Sequence, residues 1–177
     1  MKPWATKKNH LGLDFPNLPY LIDGEVRLTE SKSIMKYFCR KHRPEMLGRT
    51  PDEVAVADMV SRVHDDMHKK FGGYCFSEKG DCAELQTDLA DASGKLARFL
   101  MKKSFVVGEQ LTYVDFSIFE LLDFMNYASK GKTFSEHPSL KEYFDRVKQL
   151  PGFAEYWNDD EKCPKTGFKP WFATFGN

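Results

Sequence analysis

Hydrophobic and polar positions along this chain follow two regimes. The first occupies residues 11–31, LGLDFPNLPYLIDGEVRLTES. Residues 19–22, Pro-Tyr-Leu-Ile, form an apolar run too short for a helix and rich in strand formers. Asp23-Gly24 is a strong two-residue hairpin signal, and Val26-Arg27-Leu28-Thr29 alternates apolar and polar like a half-buried strand. The pattern predicts an antiparallel hairpin opened by Pro19, where a missing N–H costs little. A helix follows over residues 31–42, with Ser31 as its expected N-cap and Ile34, Met35 and Phe38 at helical spacing.

The second regime is helical from residue 51 onward. Residues 43–50, RPEMLGRT, read as a linker. Long helices are predicted over about 52–70 and 84–103, the latter with Leu85, Leu89, Leu96, Phe99 and Leu100 at helical spacing. Thr112-x-x-Asp115 is a capping box with Asp in the place of Glu, and residues 116–128 behind it are apolar nearly all round, which predicts a buried central helix. Ser139 with Glu142 suggests a further capping box before a helix that turns Leu140, Phe144 and Val147 inward. Pro151 stops that helix, and a last short one ends near Trp157.

Charge narrows the partners. Lys+Arg and Asp+Glu are both 26 in the 177 residues, so there is no electrostatic case for nucleic acid or an anionic membrane. No apolar run approaches membrane length, and MKPWATKKNH lacks a signal core, so a cytoplasmic protein with reduced Cys39, Cys75, Cys82 and Cys163 is expected.

The residues then resemble a known family. LGLDFPNLPYLIDG, together with Trp4 and Lys8 before it, is similar to the glutathione-binding half of a glutathione transferase, closest to the mu class. Gly108, Leu111, Thr112, Val114 and Asp115 match the G-x-x-L-T-x-V-D motif that nucleates that family's central helix. The resemblance spans essentially the whole chain, most strongly over 4–31 and 105–123. It implies that Trp4 and Lys8 contact the glycine carboxylate of glutathione. Asn17 and Leu18 face the middle of the peptide, Leu18 through its backbone just before a cis Pro19. Glu30 receives the amine and Ser31 the carboxylate of the γ-glutamyl end, where mu enzymes usually carry Gln in place of Glu30. In the family a strand, a helix and a second strand precede the Trp and carry the Tyr that stabilises the thiolate. This sequence begins three residues before Trp4. The expectation is therefore a truncated thioredoxin-like α/β unit (1–42), a linker (43–50), an all-helical domain (51–160) and a tail (161–177), with no catalytic residue assigned.

Other positions carry weaker implications. Mu enzymes place an Asp in the long helix that reaches across a dimer to the neighbour's glutathione. Asp66 fits when counted from Asp58; Asp65 or His64 fits when counted back from Tyr74. The alternative is a solvated acidic pair. Tyr74 falls near a second active-site Tyr on the electrophile side, although Gly72-Gly73 before it is unlike the family. Phe15 matches an aromatic key that inserts into a partner subunit, or else it caps its own core. His64 and His68, four apart, have zinc-compatible spacing but no Glu base or third ligand, so solvated or interface histidines are expected and no metal. Trp171, Phe172 and Phe175 in the tail either fold over a cleft or serve as a handle for another protein.

Two functions follow. One is a glutathione-binding enzyme that conjugates glutathione to electrophiles without a separate cofactor, as a homodimer or a heterodimer with a full-length relative. The other is a non-catalytic structural subunit whose open sheet edge is covered by a partner.

Overall fold

The computed structural model describes residues 2–76 and 82–163. The notional tail contacts of Trp171, Phe172 and Phe175 lie outside these residues. The chain opens with helix α1 (Lys2–Lys7) and a 3-10 turn (Lys8–His10), followed by strands β1 (Tyr20–Asp23) and β2 (Val26–Thr29) and helix α2 (Ser31–His42). After a 3-10 turn (Pro44–Leu47) come α3 (Pro51–Cys75), α4 (Ala83–Leu100), α5 (Tyr113–Ala128), α6 (Lys132–Glu136), α7 (Pro138–Lys148) and α8 (Phe153–Trp157). This is the expected two-part architecture: a small α/β unit, then a helical bundle.

The hairpin is antiparallel, with Tyr20 opposite Thr29 and Asp23 opposite Val26. Asp23 is therefore the last strand residue, and the two-residue loop is Gly24-Glu25, one position later than the Asp-Gly signal suggested. Gly24 takes φ +61°, which a side chain would resist. Asp23 is occupied elsewhere: Tyr37 Oη donates to it at 2.7 Å and Lys41 pairs with it, tying β1 to α2. The Lys41 ammonium first, and the Tyr37 hydroxyl second, hold its carboxyl below the usual range. Arg27 Nη1 donates to Leu11 O at 3.2 Å and pins the entering loop against β2.

Several helix boundaries correct the reading above. Ser31 is the first helical residue, not the cap. Glu30 holds the cap position, and its carbonyl accepts from Ile34 N at 3.0 Å. Helix α3 runs through Gly72-Gly73 to Cys75, because neighbouring packing outweighs the propensity cost of two glycines. Its start carries an overlooked cap: Thr50 accepts from Glu53 N at 3.2 Å while Glu53 reaches back to Arg49 N, with Pro51 at the first helical position. The Ser139–Glu142 box does not form, since Pro138 already opens α7 and places Ser139 inside the first turn. Helices α1 and α6 were not anticipated; at six and five residues they are too short to show a period.

The core lies in the bundle. Leu85, Leu89, Leu96 and Leu100 of α4, Ile118, Leu121, Leu122 and Met125 of α5, and Leu140, Phe144 and Val147 of α7 are buried together with Ala57, Val60 and Phe71 of α3. Phe119 stacks on Phe144 at 4.2 Å between ring centroids and meets Trp157 edge-on at 4.9 Å. Each such buried side chain contributes about 1.5–3 kcal/mol.

At the head of α5, Thr112 and Asp115 form the expected capping box. Asp115 does more than cap. Its carboxylate, in a residue with 0% exposure, accepts from Thr112 N (2.8 Å), Thr112 Oγ1 (2.9 Å), Val106 N (2.8 Å) and Tyr143 Oη (2.7 Å). Burial pushes the Asp115 carboxyl up, and the four donors oppose that push. In urea unfolding, Thr112→Ala is expected to cost about 1 kcal/mol. Asp115→Ala, which strands buried donors from three segments, should cost about 3 kcal/mol or more. Equal losses for the two would show that the carboxylate only caps the helix.

Candidate functional site

The candidate ligand residues sit on α1 and the turn after it, in the loop that enters the hairpin, at the start of α2 and, for Asp66, on α3. Trp4 on α1 lays its ring over Tyr20 of β1, with centroids 5.8 Å apart and planes 16° apart. Lys8, half-buried in the next turn, follows four residues later. Asn17 folds back locally: its Oδ1 accepts from Leu18 N at 2.9 Å, so that amide is occupied within the loop. The Leu18–Pro19 bond is cis, and Leu18 itself is exposed. Asn17 Nδ2 also reaches Glu30 Oε1 at 3.5 Å, joining the loop to the start of α2.

Glu30 has φ +69° and ψ +111°, a left-handed-side conformation that non-glycine residues rarely hold. This backbone turn brings Glu30 beside Asn17 and lets Ser31 open α2. The first N–H groups of a helix lack intrahelical partners and mark the positive end of its dipole, so this corner suits a carboxylate. A cleft of about 240 Å³ lies alongside, lined by Leu13, Asp14, Phe15, Arg27, Leu28, Thr29, Glu30 and Ser33. It thus brings together Glu30 and Phe15 of the residues singled out from sequence. Trp4, Lys8 and Asn17 do not line it. Phe15 is 82% exposed on its loop and does not cap the chain's own core.

Two charged ties set α2 against the bundle. Lys36 of α2 meets Asp58 of α3 at 2.5 Å, and Tyr113 Oη of α5 donates to the same carboxylate at 3.1 Å. Lys36 Nζ also stands 5.2 Å over the Tyr113 ring. Lys32, next to Ser31, pairs with Asp65 Oδ1 at 2.5 Å and donates to Ser61 O at 2.6 Å. Within one chain it is Asp65 that faces α2, whereas Asp66 is exposed on α3. His64 is buried and stacks on His68, with centroids 5.6 Å apart. Among the described residues no group of three or more His, Cys, Asp or Glu is placed to hold a metal. Spacing could not have found Lys32 and Lys36, whose partners lie more than twenty residues away.

Tyr74 is hydrogen-bonded within the chain. Its hydroxyl donates to Asp88 Oδ2 of α4 at 2.8 Å, and Lys70 pairs with the same Asp88 at 2.7 Å. The carboxylate beside it pushes the Tyr74 hydroxyl up to about 12. Among the described residues none of the four cysteines forms a disulfide. Cys39 and Cys75 are buried, and burial raises both thiols, which leaves them poor nucleophiles.

The comparisons with known proteins bear on the family and the fold. A family model described as "Glutathione S-transferase, C-terminal domain" matches residues 65–160. The class-mu 26 kDa isozyme 7 glutathione S-transferase of Fasciola hepatica is 34% identical over 177 residues, covering 98% of this chain and 78% of that protein. The chain belongs to the glutathione S-transferase family. Human glutathione S-transferase Mu 3 is 35% identical, over 98% of this chain and 76% of its own length. The crystal structure of the glutathione S-transferase Blo t 8 superposes with a TM-score of 0.83 at 31% identity, covering 99% of this chain and 83% of that one. In this chain a small α/β unit precedes a helical domain. No helix among its described residues is long and apolar enough to cross a membrane.

Tyr74 supplies a pH test. Its folded value stands above the ordinary tyrosine value, so the Tyr74–Asp88 bond contributes stability fully present below about pH 10 and lost as pH rises toward about 12. Difference absorbance between the parent and Tyr74→Phe should show one phenol ionising late. A phenol that titrates at the ordinary value would break the assignment.

Proposed function

We propose that this chain is a mu-class-like transferase protein that binds glutathione along the hairpin and the start of α2. Trp4 and Lys8 take the glycine carboxylate. Asn17 and the backbone of Leu18, ahead of Pro19, lie along the cysteinyl residue. Glu30 receives the γ-glutamyl ammonium, where a carboxylate makes a charge-assisted hydrogen bond. Ser31 and the free N–H groups of α2 take the γ-glutamyl carboxylate. Asp66, exposed on α3, is available to glutathione on a second subunit. The observation that carries this reading is the meeting of Asn17, Glu30 and Ser31 at one corner, with Glu30 held at positive φ.

In the conjugation that the family implies, the thiol gives its proton to solvent and the sulfur bonds to an electrophilic carbon. Either a leaving group departs from that carbon with its bonding electrons, or a π bond of the carbon opens and the adduct takes up a proton from solvent. The residues of this chain bind and orient glutathione for that step; none is assigned to stabilise the thiolate. Phe15 is the contact of a two-fold dimer, formed with a second copy or a longer relative, in the cytoplasm.

A second reading is favoured by one observation. Leu18, Tyr20, Ile22, Val26 and Phe38 are all exposed around the two-stranded hairpin. Such a surface suits a non-catalytic subunit held against a partner protein.

Thermal melts separate the two readings. Glutathione at a hundred times its dissociation constant should add about 2.7 kcal/mol of apparent stability. Trp4→Ala should reduce that shift while leaving the unliganded melt of the bundle unchanged. A cooperative melt with no shift in the parent would favour the structural subunit. For the dimer, Phe15→Ser should convert a dimer to a monomer in sedimentation equilibrium; a parent chain that is already monomeric removes Phe15 from that role.

A further inference from the structure

The structure assigns His64 a role in positioning the γ-glutamyl corner, exerted through Lys32. This rests on the glutathione reading above. An ammonium has three donors and no acceptor. Lys32 Nζ directs them at three groups of α3: Asp65 Oδ1 at 2.5 Å, Ser61 O at 2.6 Å and His64 Nδ1 at 3.0 Å. Because the ammonium can only donate, His64 Nδ1 must be the accepting nitrogen. The imidazole is then neutral and carries its proton on Nε2.

His64 is only 7% exposed, and its ring is stacked on His68. Nε2 is buried with no hydrogen-bond partner among the described residues, and the carboxylate of Glu120 on α5 stands 3.7 Å away. Its N–H therefore points toward an acceptor on a third helix. Lys32 on α2, Asp65 and His68 on α3 and Glu120 on α5 are the charged or titratable groups that face the ring. The imidazole of α3 thus lies between Lys32 of α2 and Glu120 of α5.

The consequence falls on the adjacent residue. Lys32 is the second residue of α2, and Ser31 and Glu30 precede it directly. Its side chain is mostly buried, so removing one of three acceptors leaves a desolvated ammonium incompletely paired. Lys32 must then shift or draw water in, and the helix start shifts with it. The Nδ1 acceptor, more than the bulk of the ring, is what the corner requires. An Asn at position 64 can place its Oδ1 near the position of Nδ1, a Leu fills similar space without an acceptor, and neither carries an imidazole.

The experiment uses the full chain at about pH 8, where an ordinary imidazole is neutral. Long-range proton–nitrogen spectra of the histidine side chains, with His64 assigned by its disappearance in His64→Asn, read the tautomer. Isothermal titration with glutathione reads the corner. The expected result is an Nε2–H tautomer at His64 that becomes mixed in Lys32→Met. Glutathione affinity should fall about tenfold in His64→Leu and Lys32→Met, and His64→Asn should recover most of it. A Nδ1–H tautomer in the parent, or His64→Asn as weak as His64→Leu, overturns the assignment. A parent chain that binds no glutathione overturns the positioning role together with the reading beneath it. In that case the spectra still decide whether His64 accepts from Lys32.

Discussion

The carboxylate of Asp115 is the constraint on which the bundle depends. A buried charge is costly unless it is fully hydrogen-bonded. Here its donors come from three separate segments: Thr112 at the cap, Val106 in the turn before it, and Tyr143 of α7. Satisfying the charge therefore requires the loop, the central helix and α7 to be in place together. The apolar contacts among α3, α4, α5 and α7 tolerate small adjustments, but a four-donor site does not. This is how one polar group gives a largely apolar core a single arrangement.

From α5 the order passes to the ligand corner through polar ties. Tyr113, the first residue of α5, shares Asp58 with Lys36 of α2, and one turn earlier on α2 Lys32 is held by Ser61, His64 and Asp65. Helix α2 is in turn tied to the hairpin through Tyr37, Lys41 and Asp23. The corner formed by Asn17, Glu30 and Ser31 thus lies at the end of a chain of contacts that begins at Asp115. A substitution in the bundle can reach the proposed glutathione corner without touching it, by letting α2 move. Much of this coupling is ionic and partly exposed, so each tie is individually modest. Its strength comes from several ties acting on one short helix.

What was legible in the sequence follows from the range of each interaction. The Thr112–Asp115 box was readable because its partners are three residues apart. The outer donors to the same carboxylate, Val106 and Tyr143, were not, since nothing local marks a tyrosine twenty-eight residues on as a ligand of that charge. The same applies to Lys32, whose partners lie on α3. Local signals failed where two of them competed. Pro138 and Ser139 both announce a helix start, and proline at the first position wins. Asp23-Gly24 announces a turn, but Asp23 is drawn into the strand by Tyr37 and Lys41, and the loop moves on by one residue. At the corner where α2 begins, the motif resemblance singled out Asn17, Glu30 and Ser31. The positive φ of Glu30, which brings them together, is a backbone property that no pattern of side chains displays.

The two halves of the chain differ in how they are held. The bundle buries nearly all of the apolar core, whereas the hairpin leaves Tyr20, Ile22 and Val26 exposed and relies on Asp23, Arg27 and the Trp4–Tyr20 stack. A two-stranded hairpin is marginal by itself, and regions with few buried apolar contacts open at lower free energy than the core. Every residue proposed to hold glutathione, apart from Asp66, lies in this less stable half. Binding there must order what it binds to, so measured affinity combines the contacts with the local folding of the hairpin and α2. A partner surface that covered Tyr20, Ile22 and Phe38 would supply that ordering in advance. It would strengthen glutathione binding without adding a contact to the peptide. The enzyme reading and the assembly reading are therefore thermodynamically linked: whatever covers the hairpin also prepares the site.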